Sequence, residues 1–192
     1  MGRRKGRAGP SASSRRRLDG RAVLRLLAGF VVGLGFWLLF SAPYETAVAA
    51  TSQALLRLFE RPAVTTLDAS GREIRVDRSD FPPASPRPGL PAADLHFNFV
   101  LLTALFALEP RPFAPKRFGR FWLAAGALFV IHVVALVFQI EALYATQLGA
   151  WSEANYGTFA RNVWAGGFHF YQICGRFAAP FALWWGFRPD AE

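Results

Sequence analysis

The chain contains four long apolar segments separated by polar ones. The apolar segments cover residues 22–42, 92–108, 121–140 and 162–187. A membrane-spanning helix needs about 20 predominantly apolar residues, with a range of about 17–25. The first, third and fourth segments meet this length, whereas the second is marginal, so a buried or tilted short helix is an alternative there. The pattern predicts an all-α membrane protein built as a four-helix transmembrane bundle.

Basic residues are concentrated in alternate polar segments, and this distribution predicts the orientation of the bundle. The tail up to residue 25 carries nine Lys and Arg against one acid, and segment 109–120 carries four against one. Segment 43–94 carries six Arg against seven acids, and segment 141–160 carries two acids and no base. Because an excess of Lys and Arg marks cytoplasmic loops, we expect both termini and segment 109–120 to be cytoplasmic.

The composition agrees with a membrane protein. The chain is 53% hydrophobic and only 18% charged, yet its net charge is +9, whereas soluble domains have about 25% charged residues. The Arg-rich tail also suits nucleic-acid binding, but beside an apolar segment it more commonly sets topology and contacts lipid. A cleaved signal peptide fits less well, because the first apolar stretch is long and three more follow. A single cysteine, Cys174, excludes an intramolecular disulfide.

The external segment, residues 43–91, is predicted to contain a helix and a small β-hairpin. Apolar residues recur at spacings of three and four over Tyr44–Arg61, which predicts a helix that lies on the outer surface or continues the first span. Two β-rich runs, 63–67 and 72–76, flank a turn and predict the hairpin. The predicted organisation is a disordered cytoplasmic tail over 1–21, a membrane domain over 22–187 and a cytoplasmic end over 188–192.

Several polar side chains fall within the predicted spans, where unpaired polar groups are costly and mark functional sites. The candidates for a polar groove are His96, Asn98, His132, Gln139, His169, Gln172 and Arg176. His132 and His169 are expected at similar depths, and two facing histidines suit axial ligation of haem b. Hydrogen bonding between helices is the structural alternative. Arg176 has no acid in its own segment, so it either reaches the inner face or needs a partner.

Gly29 and Gly33 in the first span have a small-xxx-small spacing. Such spacing lets two helices approach closely, so a homodimer through these glycines is one expectation. The bilayer itself is the other expected contact of this helix.

The order of these parts resembles the exosortase/archaeosortase family of membrane transpeptidases. The resemblance rests on Tyr44–Arg61 as the family's external helix, Val64–Val76 as its hairpin, Arg111–Arg120 as its basic inner loop and Gly167-Phe-His169 as its His motif. It covers roughly residues 25–187, by pattern rather than by identity.

Two catalytic positions of that family are occupied by other residues. Where the catalytic Cys should open the second span, the chain reads Asp94-Leu-His-Phe-Asn98. Where the third span should carry an Arg, it reads Ile131-His-Val-Val-Ala-Leu136. Only His169 is carried over, and Cys174 lies in the wrong span to supply the thiolate that such a transpeptidase needs.

The chain is therefore similar to the accessory membrane proteins associated with the exosortase H group. This resemblance implies a non-enzymatic accessory protein of the bacterial inner (plasma) membrane, without catalytic residues, metal or cofactor. It would bind an exosortase-type sorting enzyme or the helix of its sorted substrate, and no nucleic acid. Two alternatives stay open: a haem- or quinone-binding electron carrier using His132 and His169, and a residual hydrolase or transferase using His96 or Asp94 at the outer face.

Overall fold

The computed structural model describes residues 20–60, 63–71, 73–81, 87–109 and 111–188. The predicted cytoplasmic tail and the final four residues lie outside these ranges, apart from residues 20 and 21. The helices are α1 (Gly20–Phe59), α2 (Ala93–His96), α3 (Asn98–Ala107), α4 (Pro115–Thr146), α5 (Ala150–Asn155), α6 (Thr158–Phe170) and α7 (Arg176–Gly186). One π-helical turn, Tyr171–Gly175, joins α6 to α7. The strands are β1 (Thr65–Ser70), β2 (Glu73–Arg78) and β3 (Gly89–Pro91).

Two helices in the described part of the chain are long and apolar enough to cross a membrane. They are α1, with 40 residues, and α4, with 32. Helices α2 and α3 provide a shorter apolar stretch, Ala93–Ala107. Helix α6, the π turn and α7 continue one another over 158–186, a length of about 40 Å at 1.5 Å per residue. The mostly helical membrane fold is confirmed, whereas the four crossings stay a prediction.

Helix α1 joins the first apolar segment and the predicted external helix into one element. Pro43 lies inside α1, where it removes one backbone donor without ending the helix. The external helix therefore continues the first segment instead of starting separately at Tyr44. It ends at Phe59, two residues before the predicted end at Arg61. Its C-terminal part buries residues at helical spacing: Val48, Ala49, Ser52 and Leu56.

The sheet has three antiparallel strands in the order β1-β2-β3. Strands β1 and β2 form the predicted hairpin, with Gly71 at a positive φ of 69° in its turn, a conformation that glycine adopts readily. Strand β3 lies in the stretch 81–91, which contains five prolines, and its Leu90 is paired with Ile74. The prediction of a hairpin alone was incomplete, because β3 extends the hairpin to three strands and Leu90 adds to its buried apolar residues.

The apolar residues of the sheet pack on the C-terminal halves of α1 and α4. They belong to one buried cluster that includes Leu67, Ile74, Val76, Leu90, Val48, Leu136 and Ile140. A smaller buried cluster joins α3 to the N-terminal half of α4, with α7 packed against it: Leu102, Phe106, Ala124 and Leu128. Helix α3 consequently lies in the middle of the bundle, in contact with α1, α4 and α7.

Arg78 attaches the sheet to the C-terminal end of α4 and to the start of α5. Its guanidinium carbon lies 4.8 Å from the ring centre of Tyr144 and 4.9 Å from that of Trp151. The same group forms ion pairs with Glu60 at 3.4 Å and with Asp80 at 2.9 Å. The hydrogen bond from Arg78 holds the pKa of Asp80 below its usual range, against the opposing effect of partial burial.

Helices α1 and α3 approach most closely at the two glycines singled out in the sequence. A Cβ on Gly29 would overlap the Cβ of Ala107, and one on Gly33 would lie 3.0 Å from the Cβ of Thr103. Both glycines are buried. The expected homodimer through Gly29 and Gly33 is therefore wrong, because α3 of the same chain occupies that face.

Gly29→Ala is expected to destabilise the bundle, because the added methyl group must displace α3. Overpacking of this kind costs about 1–3 kcal/mol, measured as the free energy of unfolding in detergent. Gly35→Ala is the matched control, because no atom lies within 4 Å of the Cβ it would add. An equal effect of both substitutions would contradict the close contact between α1 and α3.

The contact of the sheet with α4 is expected to weaken in acid. Because the pKa of Asp80 is lower in the folded chain than in the unfolded chain, its carboxylate contributes full stability above the ordinary Asp pKa of about 3.9. That contribution is lost as the pH falls through the folded-state pKa. Tryptophan fluorescence across this range should show the change in native protein and not in Asp80→Asn. Asp68→Asn, an exposed acid on β1, should behave like native protein.

Candidate functional site

A set of buried polar side chains lies where α1, the α2–α3 segment, α4 and the π turn meet. His96, Asn98 and His132 are 1%, 7% and 0% exposed, and they are the members of the predicted groove that the structure brings together. His96 and Asn98 are two residues apart, so they point to different sides of their segment. His96 faces α1, whereas Asn98 faces α4 and the π turn. We call the whole set the polar network.

His96 is held by two side chains of α1. The indole nitrogen of Trp37 donates to Nδ1 of His96 at 2.9 Å, and Nε2 of His96 lies 3.0 Å from Oε1 of Glu45. Because an indole N–H can only donate, Nδ1 is an acceptor and the ring proton lies on Nε2. His96 is therefore a neutral imidazole that donates to Glu45.

His132 belongs to a second chain of hydrogen bonds, which can be followed from its far end. The hydroxyl of Tyr171 lies 2.8 Å from the Leu95 carbonyl and 3.4 Å from Nδ2 of Asn98. Because a carbonyl oxygen can only accept, Tyr171 donates to Leu95 and accepts from Asn98. Oδ1 of Asn98 thus lies 2.7 Å from Nε2 of His132 and accepts a hydrogen bond from its N–H group. Nδ1 of His132 then accepts from the Tyr44 hydroxyl at 2.6 Å.

Every ring nitrogen of His96 and His132 has a hydrogen-bond partner. The ring of Tyr44 lies between them, with its centre 5.6 Å from that of His96 and 5.8 Å from that of His132. His169 is exposed on α6, so the expected facing pair of His132 and His169 is wrong. A haem iron needs the lone pair of a ring nitrogen, and in His132 that lone pair is engaged by Tyr44.

Arg176 has its partner in α2. Nη2 of Arg176 lies 3.2 Å from Oδ1 of Asp94, and Nη1 lies 3.4 Å from Oε1 of Gln172. The guanidinium is thus neutralised by an acid of the second apolar segment and does not depend on the inner face. His96 is buried, whereas Asp94 is exposed. Gln139 is half-buried on α4 and forms no hydrogen bond with these residues in the described part of the chain.

Four members of the polar network are not among the sequence-based candidates: Trp37, Tyr44, Glu45 and Tyr171. Glu45 had a usable signal, since an acid on an otherwise apolar helix marks a functional or paired position. No sequence pattern marks Tyr171 as a member of the network, because the π turn shifts the helical register. Gly175 permits this packing, since a Cβ there would lie 2.8 Å from Cδ2 of Tyr171.

The structure joins two of the three regions that the exosortase resemblance assigns to catalysis. The Asp94–Asn98 and Ile131–Leu136 regions meet through the bond from His132 to Asn98. The third region, Gly167-Phe-His169, does not reach the network. Gly167 instead has no room for a Cβ against the ring of Phe138, so it serves the packing of α6 on α4.

The chemistry available in the network is that of neutral hydrogen-bonding groups beside one carboxylate. Cys174, the sole cysteine of the sequence, is exposed. No group of three or more His, Cys, Asp or Glu side chains that suits a metal ion occurs in the described residues. The arrangement is suited to joining helices.

The chain of bonds through His132 should act as one energetic unit. Tyr44→Phe and Tyr171→Phe each remove only a hydroxyl, and each leaves a buried group without its partner, at a cost of about 1–3 kcal/mol. A double-mutant cycle of unfolding free energies should give a coupling within the range of about 0.5–3 kcal/mol. Tyr156→Phe is the control, because the Tyr156 hydroxyl donates to Glu141 at 2.8 Å. Its effect on the unfolding free energy should simply add to that of Tyr171→Phe. Additivity of Tyr44→Phe and Tyr171→Phe would contradict a continuous chain.

Comparison with known proteins identifies a family that matches this chain. The family described as exosortase H-associated membrane protein matches residues 17–191. No significant match to a curated protein or to a solved structure is found. The matched region contains all the described residues, with the polar network and the sheet, and it confirms the resemblance drawn from the sequence. The chain belongs to the exosortase H-associated membrane protein family, and it is a membrane protein associated with an exosortase system.

Proposed function

We propose that the protein is a non-enzymatic accessory component of an exosortase-type sorting system, which binds the sorting enzyme or the helix of its sorted substrate. One observation carries the proposal beyond family membership. The positions that the exosortase resemblance assigns to the nucleophile and the arginine contribute Asn98 and His132 to a hydrogen-bonded chain. In this position the side chains hold helices together.

The complete pairing of the polar side chains in this region supports a binding role. An acyl-transfer site needs a nucleophile activated by a base with a free lone pair. His96 directs its proton towards Glu45 and its lone pair towards Trp37, so no lone pair is free to take a substrate proton. The Asp94 carboxylate is paired with Arg176.

The proposal includes a placement in the inner membrane with four crossings. These are α1, the α2–α3 segment, α4 and the continuous helix over 158–186, with both termini cytoplasmic. The basic residues of segment 109–120 support this orientation, as does segment 141–160 at the opposite end of α4, which carries two acids and no base. In that placement α2–α3 is the shortest crossing, and the polar network lies at its outer end.

A partner is supported by the exposed face of α6. No residue of α6 is buried. Asn162 and His169 are exposed and seven residues apart, which places them on one face with Gly166 between them. Polar side chains facing lipid are costly, whereas against another helix a polar pair contributes about 0.6 kcal/mol and a glycine allows close approach. We propose this face as the surface that receives the partner helix.

The test is co-purification from native membranes. The double variant Asn162→Leu, His169→Leu should recover about eightfold less sorting enzyme or substrate, from the loss of two polar pairs at about 0.6 kcal/mol each. Thr46→Leu is the matched control, since it exchanges an exposed polar residue of α1 for the same apolar one. Equal recovery with both variants would contradict the proposed face.

The same preparation tests the absence of catalysis. The purified protein, without a sorting enzyme, should leave a sorting-signal peptide uncut over the time in which the complete system processes it. Cleavage by the isolated protein, lost in His96→Leu, would overturn the non-enzymatic assignment.

A further inference from the structure

A cavity opens at the inner end of the bundle, away from the polar network. It has a volume of about 370 Å³ and lies between α1, α3 and the start of α4. Its walls are apolar and largely aromatic, with Val32, Phe36, Phe99, Phe106 and Phe121 among them. Binding cavities for small molecules have volumes of about 300–1,000 Å³, so this one is large enough for part of a ligand.

The rim of the cavity is basic. Arg25 of α1 and two residues of α4, Arg117 and Arg120, line it together with Glu109. Glu109 is paired with Arg188 at 3.3 Å. In the described part of the chain, no ion pair joins Arg25, Arg117 or Arg120 to an acid. The cavity thus combines an apolar interior with three lining arginines that form no ion pair with an acid of the described residues.

We propose that the cavity binds an anionic phospholipid, with an acyl chain inside it and the phosphate held by Arg25, Arg117 and Arg120. Guanidinium groups suit phosphate because their paired N–H donors match two phosphate oxygens. Basic pockets between membrane helices bind anionic headgroups. The apolar walls do not suit a soluble phosphate.

This site is independent of the exosortase association and rests only on the placement of the bundle in a membrane. The lipid would occupy the groove between the inner halves of α1 and α4. It would complete the packing of α3, which touches both helices but leaves this groove open.

Native mass spectrometry of the full chain tests the proposal. The protein is reconstituted with phosphatidylglycerol and phosphatidylcholine in equal amounts, and lipid retained after detergent extraction is counted. Native protein should retain one phosphatidylglycerol in preference to phosphatidylcholine. Arg120→Gln should lower that preference about fivefold, the effect of one basic residue near an anionic surface. Arg75→Gln, an exposed arginine of β2, makes the same change of charge and should leave the preference intact.

A second pair of variants separates the cavity from the rim. Ala28→Phe places a ring at a lining position and should abolish retention of the lipid with no change of charge. Leu24→Phe, exposed on α1 outside the cavity, is its control. Loss of retention in both arginine variants, or retention unchanged in Ala28→Phe, would mean that the lipid binds by surface charge alone and would overturn the proposal. Equal retention of the two lipids by native protein would overturn it as well.

Discussion

The hydrogen bond between His132 and Asn98, at 2.7 Å, is the contact on which the centre of the bundle depends. Between apolar helices in lipid the hydrophobic effect adds little, so close packing and polar pairs must supply the association. The short segment α2–α3 has few turns with which to pack. Its position is set by this bond on one side and by the contact of α3 with Gly29 and Gly33 on the other. Because Tyr44 and Tyr171 extend the same chain of bonds, α1 and the π turn are held at that point too.

Hydropathy and spacing predicted much of this architecture, and the errors have identifiable physical causes. Long apolar runs and intramembrane polar residues were visible, so the helices and three members of the polar network, His96, Asn98 and His132, were found. Their partners were not. Trp37, Tyr44 and Glu45 lie in α1, and the spacing of residues along one helix does not show which other helix it contacts. The choice of His169 assumed an uninterrupted α-helix. The π turn adds one residue per turn and brings Tyr171 inward. Strand β3 was not predicted because its stretch is rich in proline, although an edge strand tolerates proline.

The polar network also shows that a chain can resemble an enzyme family in the order of its parts without sharing the family's reacting groups. The second and third apolar segments meet where the exosortase resemblance expects a reacting centre, but the groups there satisfy one another. Buried polar groups are stable only when each has a partner. An arginine at position 132 would remove the hydrogen bonds of His132 to Tyr44 and Asn98 and leave both groups without their partner.

The continuity of α1 joins distant parts of the molecule. The helix has 40 residues, which corresponds to about 60 Å. Its C-terminal half carries contacts to the sheet, and its N-terminal end carries Arg25 and Ala28 at the cavity. Between them, α1 is held against α3 at Gly29 and Gly33 and by the hydrogen bond of Tyr44 to His132, a stretch of about 22 Å at 1.5 Å per residue. The sheet and the cavity are therefore attached to one helix on opposite sides of the same anchored stretch.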